Sequence, residues 1–535
     1  TGAGKTTRVP WALANHPPLR GGQVVVLEPR RLAARLAAER VAHEQGLSLG
    51  RQVGYAVRFE RRTSAGTRLV FITEALLTRR LQQDPQLRGI SAVVLDEIHE
   101  RHLHSDLALA LIDALQREQR PDLYWLAMSA TLDGEALAQR FDAAWLRCPG
   151  RQYPVTIEHL SQPSQQPLDR QVAMGVRQLL RAGVRGHVLV FLPSLAQLRR
   201  AAARCQALTR EHGLALHLLH GRLPRAEQDR AVRPSRQQKL IIATNVAESS
   251  ITIDGIEAVV DSGLANVASQ QPYRSLSRLR AEPISQASAA QRSGRAGRTG
   301  PGRCLRLYTE RDFQRRPRFD TPAIVRSDLC ELLLTLTLSG QQHHKLRWLT
   351  PPPPAHIDAA AQLLRRLHVI DEHGRATADA AELAHLPLHP RHARALLEAA
   401  RLGVADTATE ALALLGEQLD LRRAHGGQRQ HDSSLWQQLR LLAGEGGAAP
   451  DRRSVDRIER VAAQLRRQLS RLRVKIKSKP NNDDEVTHSF TVAMLRGFPD
   501  RVAKRVGDKT PKQGDTLTLA LVDGGRAVMR QLASL

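Results

Sequence analysis

The stretch "AVVLDEIHER", Ala92 to Arg101, carries the reading of the first half of this 535-residue chain. Its apolar run "AVVL" reads as a strand buried on both faces, and it ends in two adjacent carboxylates, Asp96 and Glu97. An apolar run that turns polar only at its tip is the pattern of a parallel sheet covered by helices. Two carboxylates at such a tip are costly unless a cation meets them. Taken alone, the segment reads equally as a solvated turn after a core strand, so its neighbours have to decide.

Those neighbours repeat the theme. "VVVLEP" (24–29), "RLVFIT" (68–73) and "LYWLAMSAT" (123–131) are further buried strands, separated by periodic Ala/Leu/Arg segments of helical length. Strand, helix, strand in this order calls for a parallel sheet with helices on both faces. A second set follows: "GHVLVFLPS" (186–194), "LALHLLHG" (214–221), "KLIIATN" (239–245), "GIEAVVD" (255–261) and "RCLRLYT" (303–309). Two successive α/β domains are therefore expected over roughly 1–150 and 151–310. Beyond them, residues 321–425 are almost all helical in pattern, interrupted by "TPPPP" (350–354), which reads as a stiff extended spacer. Residues 357–390 read as helix, short strand, glycine turn and helix, an order that suits a winged helix, and another helical stretch runs to about 472. In "RLRVKIKSKP" (471–480), Arg471, Arg473, Lys475, Lys477 and Lys479 share one side if the segment is extended, either as a guarded sheet edge or as a contact to nucleic acid.

Lys+Arg number 79 against 53 Asp+Glu, a formal charge of +26, which favours polyanionic partners. The excess is overwhelmingly arginine in an Ala- and Leu-rich chain, a composition that codon bias in a GC-rich genome can produce without any functional cause, which discounts the inference. Aromatic residues are only 3%, which disfavours reading bases by stacking and leaves sugar and phosphate contacts. No run approaches the ~18 apolar residues of a membrane span. The four cysteines lie far apart with no C-x-x-C, which excludes a zinc ribbon or disulfide framework and suits a reducing cytoplasm.

The chain opens on "TGAGKTT" (1–7), where Gly4, Lys5 and Thr6 stand as the second glycine, the lysine and the hydroxyl of a phosphate-binding loop. The first glycine and a preceding strand are missing, so a longer protein is expected. Joined to this loop, Asp96 becomes a carboxylate for magnesium and Glu97 one that polarises a water. His99, Glu100, His102 and His104 resemble a zinc cluster, but Leu103 occupies the place where H-E-x-x-H needs its second histidine. "QRSGRAGR" (291–298) spaces arginines by three; along a helix start they would share a face and meet a transferring phosphate from the opposite domain.

In this order the segments resemble the DEAH/RHA branch of superfamily 2 helicases. "TGAGKTT" is similar to motif I, "PRRLAA" (29–34) to Ia, "TEALL" (73–77) to Ib, "DEIH" (96–99) to II, "SAT" (129–131) to III, "FLPS" (191–194) to IV, "TNVAESSITIDG" (244–255) to V and "QRSGRAGR" to VI. "LPLHPRHARALLEA" and "FPDRVAKR" (498–505) resemble the bacterial HrpB subfamily. The resemblance implies a first RecA-like, ATP-binding domain over 1–150, N-terminally incomplete, and a second over 151–315. A winged-helix domain over 316–390, a ratchet-like helical bundle over 391–497 and the start of a C-terminal subfamily-specific region over 498–535 complete it.

It further implies Mg-ATP at the seam of the two RecA-like domains. Gly2, Gly4, Lys5, Thr6, Thr7, Arg40, Ser250 and Asp254 are the nucleotide's expected ligands, and Thr6 and Asp96 those of magnesium. Glu97 and Gln291 would hold the lytic water, Arg295 and Arg298 would be arginine fingers, and His99, Ser129 and Thr131 would couple hydrolysis to movement. Arg30, Thr73, Thr244 and Asn245 match positions on the nucleic acid backbone, and residues 262–283 match a strand-separating β-hairpin. Leu264 stands where the family often has an adenine-stacking Phe, which implies looser base choice. The implied activity is ATP-driven stepping along single-stranded or partly duplex RNA, 3′-to-5′, with DNA possible, by a cytoplasmic monomer without a membrane. Three alternatives stand beside it: an RNA-stimulated ATPase that remodels RNA–protein complexes, a catalytically silent RNA-binding scaffold, and a P-loop enzyme of unrelated purpose.

Overall fold

The computed structural model describes all residues except 1–3, 59, 131–133, 149, 151–152, 249–250, 271–276, 418–434, 446–451, 473, 475–476, 479, 481, 507–515, 522–525 and 531–535. Gly2, Thr131, Ser250, the hairpin tip and three of the five basic positions near 475 thus lie outside the described residues. The chain divides into two compact units, one holding 1–271, 276–327 and 344–353, the other 272–275, 328–343 and 354–535.

The first unit contains two six-stranded sheets. Strands β1 (Gln23–Glu28), β2 (Val53–Val57), β3 (Glu60–Arg62), β4 (Leu69–Thr73), β5 (Ile90–Leu95) and β6 (Tyr124–Ala127) form one, in the order β3-β2-β4-β1-β5-β6. It is parallel except for the β2–β3 pair. Between them run α1 (Lys5–Asn15), α2 (Arg31–Glu44), α3 (Glu74–Gln83) and α4 (Leu103–Glu118). After α5 (Gly134–Phe141) comes the second sheet: β7 (Val155–Leu160), β8 (His187–Phe191), β9 (Ala215–Leu219), β10 (Lys239–Ala243), β11 (Ile256–Asp261) and, after the antiparallel hairpin β12 (Leu264–Gln270) and β13 (Ser277–Pro283), β14 (Gly302–Thr309). Its order is β7-β14-β11-β8-β10-β9, parallel throughout. Helices α6 (Leu168–Arg181), α7 (Leu195–Glu211), α8 (Arg225–Val232) and α9 (Gln286–Ser293) complete this lobe.

Every strand expected from its apolar run is present. Three others were not legible: β2, "VGYAV", is diluted by glycine and alanine, β3, "ERR", is exposed, and β7, "VTIEHL", is an edge strand with polar alternation. The two lobes share a core. Leu32 and Ala33, in the first turn of α2, pack with Phe191, Leu219, Ile241 and Val259 of the second lobe. Around this contact Arg35, 5% exposed, meets Asp229 at 2.6 Å, and Arg225 meets Glu39 at 2.9 Å and Glu60 at 2.8 Å.

In the second unit, helices Cys330–Leu338, Pro354–Arg366, Ala378–His385, Pro390–Arg401 and Ala405–Glu417 follow one another. Pro354, expected in the spacer, instead starts a helix, where a missing N–H costs nothing. Ile370 and Ala376 form a bridge around Gly374, whose φ of 77° suits only glycine well. Helices Leu435–Leu442, Arg452–Leu469 and Asp483–Gly497 lead to a three-stranded antiparallel sheet, Ala503–Arg505, Thr516–Leu521 and Arg526–Arg530, that was not expected, although "TLTLAL" (516–521) alternates with period two. Arg391 donates to both carboxylate oxygens of Asp500, Nη2 to Oδ2 at 2.6 Å, with both side chains nearly fully buried. Removing one partner of such a pair strands the other charge, so Asp500→Asn is expected to destabilise this unit by about 3–5 kcal/mol. Chemical denaturation of both proteins measures it, and a loss under about 1 kcal/mol contradicts the burial argument.

Candidate nucleotide and nucleic acid site

The site gathers where parallel strands end. Gly4 caps α1 with φ 74°, a left-handed conformation that glycine alone adopts freely, so the helix N-terminus opens at the loop. Lys5 Nζ donates to the Ser129 carbonyl at 2.7 Å, which ties the loop to the end of β6. Thr6 Oγ1 donates to Asp96 Oδ2 at 2.5 Å, across 90 residues of sequence. Thr7 lies in the first turn of α1.

Asp96 is 3% exposed; burial, with Glu97 beside it, pushes its carboxyl up to about 7, while Thr6, the Glu97 amide and Lys5 oppose the shift. A buried carboxylate beside a second one, with a hydroxyl oxygen at hydrogen-bond distance, is a hard-oxygen donor set short of positive charge. That chemistry fits Mg²⁺. Glu97 has φ 52° and is followed by a short 3₁₀ turn, Ile98–Glu100. His99 Nδ1 lies 3.4 Å from Glu97 Oε2, and its other ring nitrogen, Nε2, meets the side-chain amide of Gln291, which α9 supplies from the second lobe.

Motif VI departs from expectation. Helix α9 ends at Ser293, so Arg292 lies in its last turn, while Arg295 follows in a turn and Arg298 in the bend beyond it. The three arginines therefore do not share a helical face. Gly294 ends the helix, and Gly297 passes so close that a Cβ would stand 2.6 Å from the Tyr153 carbonyl. Arg292, 1% exposed, is bonded at 2.8 Å to Glu248 and to Asp261 and lies over the Phe191 ring. Arg295, 5% exposed, donates to the carbonyls of Glu248 and of Ile251, the latter at 2.6 Å. Arg298 reaches Thr252 Oγ1 at 3.1 Å, while its buried Nε has no hydrogen-bond partner among the described residues. Burial lowers the pKa of both Arg295 and Arg298, and Glu97 acts on both in the opposite sense. A guanidinium nitrogen buried without a partner among the described residues fits an anionic group.

Arg40 of α2 is half exposed, bonded to Glu44 at 2.5 Å and 3.8 Å from Asp254, which is exposed on the second lobe. Leu264 opens β12, and its carbonyl accepts from Arg292 at 3.2 Å. The four expected nucleic acid contacts all stand just beyond or at strand ends: Arg30 after β1, Thr73 at the end of β4, Thr244 and Asn245 after β10. Asn245 is exposed and Thr244 is 7% exposed. Arg30 is held in a bidentate pair with Glu100, both bonds 2.7 Å. Sequence reasoning missed Arg292, Glu248, Glu100 and Glu74, because buried ion pairs between distant segments leave no periodic signal.

Residues 1–139 match the family description "DEAD/DEAH box helicase" and residues 172–300 "Helicase conserved C-terminal domain". The chain is 39% identical over 421 residues to the "ATP-dependent RNA helicase HrpB" of Escherichia coli (strain K12), covering 78% of this chain and 52% of that protein. Among solved structures it is similar to "Crystal structure of Escherichia coli DEAH/RHA helicase HrpB", with TM-score 0.82 and 34% identity over 98% of this chain and 63% of that one. It is also similar to "Crystal structure of E. coli DExH-box NTPase HrpB", with TM-score 0.77, 34% identity and coverage of 99% and 61%. The chain thus spans about half the length of the curated relative. Its two matched domains, its two parallel sheets and its likeness to HrpB show that the chain carries a DEAD/DEAH box helicase domain followed by a helicase conserved C-terminal domain.

Proposed function

We propose that the chain is an ATP-dependent helicase or translocase acting on RNA, with Mg-ATP hydrolysed between its two RecA-like lobes. One observation carries the reading most. His99 of the first lobe meets Gln291 of the second beside Glu97, and Glu97 also acts on Arg298, one of whose nitrogens has no partner among the described residues. In this reading Lys5 and the amides of the loop hold the β- and γ-phosphates, and Thr6 and Asp96 hold the metal. Magnesium supplies charge neutralisation at the phosphoryl oxygens. Glu97 accepts the proton of the attacking water, Gln291 orients that water, and Arg295 and Arg298 counter the charge that develops on the transferring phosphoryl group. Arg40 and Asp254 flank the base, and Thr7, Gly2 and Ser250 belong to the same ligand set. Ser129, His99 and Thr131 pass the state of the nucleotide to the second lobe.

Arg30, Thr73, Thr244 and Asn245, at strand ends, offer themselves to a sugar–phosphate backbone, the usual position for ligands of parallel sheets. The net charge and the scarcity of aromatic residues support a backbone reader. The β12–β13 hairpin is read as the strand separator, the helices of 316–390 as a winged helix and those of 391–497 as a ratchet-like bundle leading into the region from 498. Monomeric action in the cytoplasm belongs to the same reading, supported by four free cysteines of which three are buried. ATP turnover measured with and without single-stranded RNA or DNA tests it, alongside displacement of a strand from 3′- and 5′-tailed duplexes. Turnover is expected to rise with RNA and displacement to need a 3′ tail. Stimulation without displacement would favour the remodelling ATPase, and no stimulation by either nucleic acid would end the helicase reading.

A further inference from the structure

His102 had no role in the reading above, yet it sits at the centre of a chain of ion pairs. Glu100 accepts from both terminal nitrogens of Arg30 at 2.7 Å, and its Oε2 lies 3.2 Å from His102 Nε2. On the other side of the ring, His102 Nδ1 lies 3.5 Å from Glu74 Oε1, which also accepts from Ser105 Oγ. The side chains of Glu74 and Glu100 are 8% and 12% exposed, so two carboxylates converge on one imidazole at the edge of the core. Burial opposes its charge, but Glu74 and Glu100 outweigh burial and push its pKa up to about 10, which makes it a cation at neutral pH.

The ends of this chain give it meaning. Arg30 caps α2 just past β1, and Glu74 is the first residue of α3, directly after Thr73. Both loops are those offered to the nucleic acid backbone. The middle of the chain, Glu100, is the last residue of the 3₁₀ turn that begins after Glu97 and carries His99. That turn is bounded by two residues in the left-handed region, Glu97 and Arg101, both at φ 52°. Neither is a glycine, so their surroundings must enforce the conformation. Arg101 is enforced by Asp106 at 3.1 and 2.9 Å, by Thr350 Oγ1 at 2.8 Å and by the Ala323 amide on its carbonyl at 2.9 Å. With that end fixed, a pull on Glu100 is transmitted toward His99 and Glu97.

We propose that His102 is a positioning residue that ties the strand-end loops at Arg30 and Thr73 to the turn carrying Glu97, so that nucleic acid on the loops is felt at the nucleotide. The proposal rests on the helicase reading. His102 touches neither nucleotide nor nucleic acid in it; it holds two carboxylates that otherwise repel, and through them two loops.

The test is steady-state ATP turnover of the full chain without and with saturating single-stranded RNA, for the parent, His102→Gln, His102→Lys and Glu74→Gln. His102→Gln is expected to keep basal turnover within about twofold and to lose about fivefold to thirtyfold in stimulation, the span of coupling effects in two-state proteins. His102→Lys keeps a cation between the carboxylates and is expected to recover most of the stimulation. Glu74→Gln removes the same link from its other end, so the double variant is expected to lose no more than His102→Gln alone. Full stimulation of His102→Gln overturns the proposal. So does a parallel fall of basal and stimulated rates together with the thermal midpoint, which is the signature of a merely structural pair. A parent that RNA does not stimulate overturns the helicase reading itself, and this proposal with it.

Discussion

Glu97→Gln is expected to lower ATP turnover by about 10²–10⁴-fold while nucleotide binding persists, because the amide cannot take the proton of the attacking water. The expectation follows from placement. Glu97 stands at the tip of β5, next to Asp96 and 3.4 Å from His99, on the face where Gln291 arrives from the other lobe. Exchange of a carboxylate for an amide keeps the shape and removes the charge that acts against the lowered pKa of Arg295 and Arg298. Single-turnover hydrolysis together with binding of a fluorescent nucleotide separates chemistry from affinity. Unchanged turnover would mean that no reaction runs through this carboxylate, and the silent-scaffold reading would take its place.

A second large effect is expected at Arg298, whose replacement by alanine should reduce turnover by about 10³–10⁵-fold, the contribution of arginine fingers in phosphoryl transfer. Arg298 holds Thr252 Oγ1 by one nitrogen and leaves buried Nε without a partner among the described residues, so an anion that reaches it has a donor waiting. Arg295→Ala serves as the contrast. Its guanidinium is bonded to the carbonyls of Glu248 and Ile251, so its loss should also loosen that loop and lower the thermal midpoint. Arg298→Ala should leave the midpoint almost unmoved. If both variants lose stability alike and Arg298→Ala retains turnover, the arginine does not reach the nucleotide.

Local chemistry made much of this protein readable from its residues alone. Apolar runs of strand length, each ending in polar or small residues, are a one-dimensional pattern, so the strands of "VVVLEP", "AVVL" and "KLIIATN" were legible, as was their division between two successive parallel-sheet lobes, while the strand order within each sheet was not. The family resemblance rested on short contiguous motifs for the same reason: a phosphate loop needs its glycine, lysine and threonine in consecutive places. What stayed hidden were the diluted β2, the exposed β3 and the polar edge β7, which lack such a pattern, and the late antiparallel sheet, whose alternating "TLTLAL" was not recognised as a strand.

Tertiary structure decided the rest. Three arginines spaced by three look equivalent in "QRSGRAGR", but α9 stops at Ser293 and sends them to three destinations: a buried pair with Glu248 and Asp261, two backbone carbonyls, and the Thr252 hydroxyl. Likewise nothing in the chain announces that Arg30, Glu100, His102 and Glu74 form one network, or that Arg35 reaches Asp229. Ion pairs between segments far apart in sequence depend on how sheets stack and where helices end, and those outcomes are set by the whole core rather than by any stretch of residues.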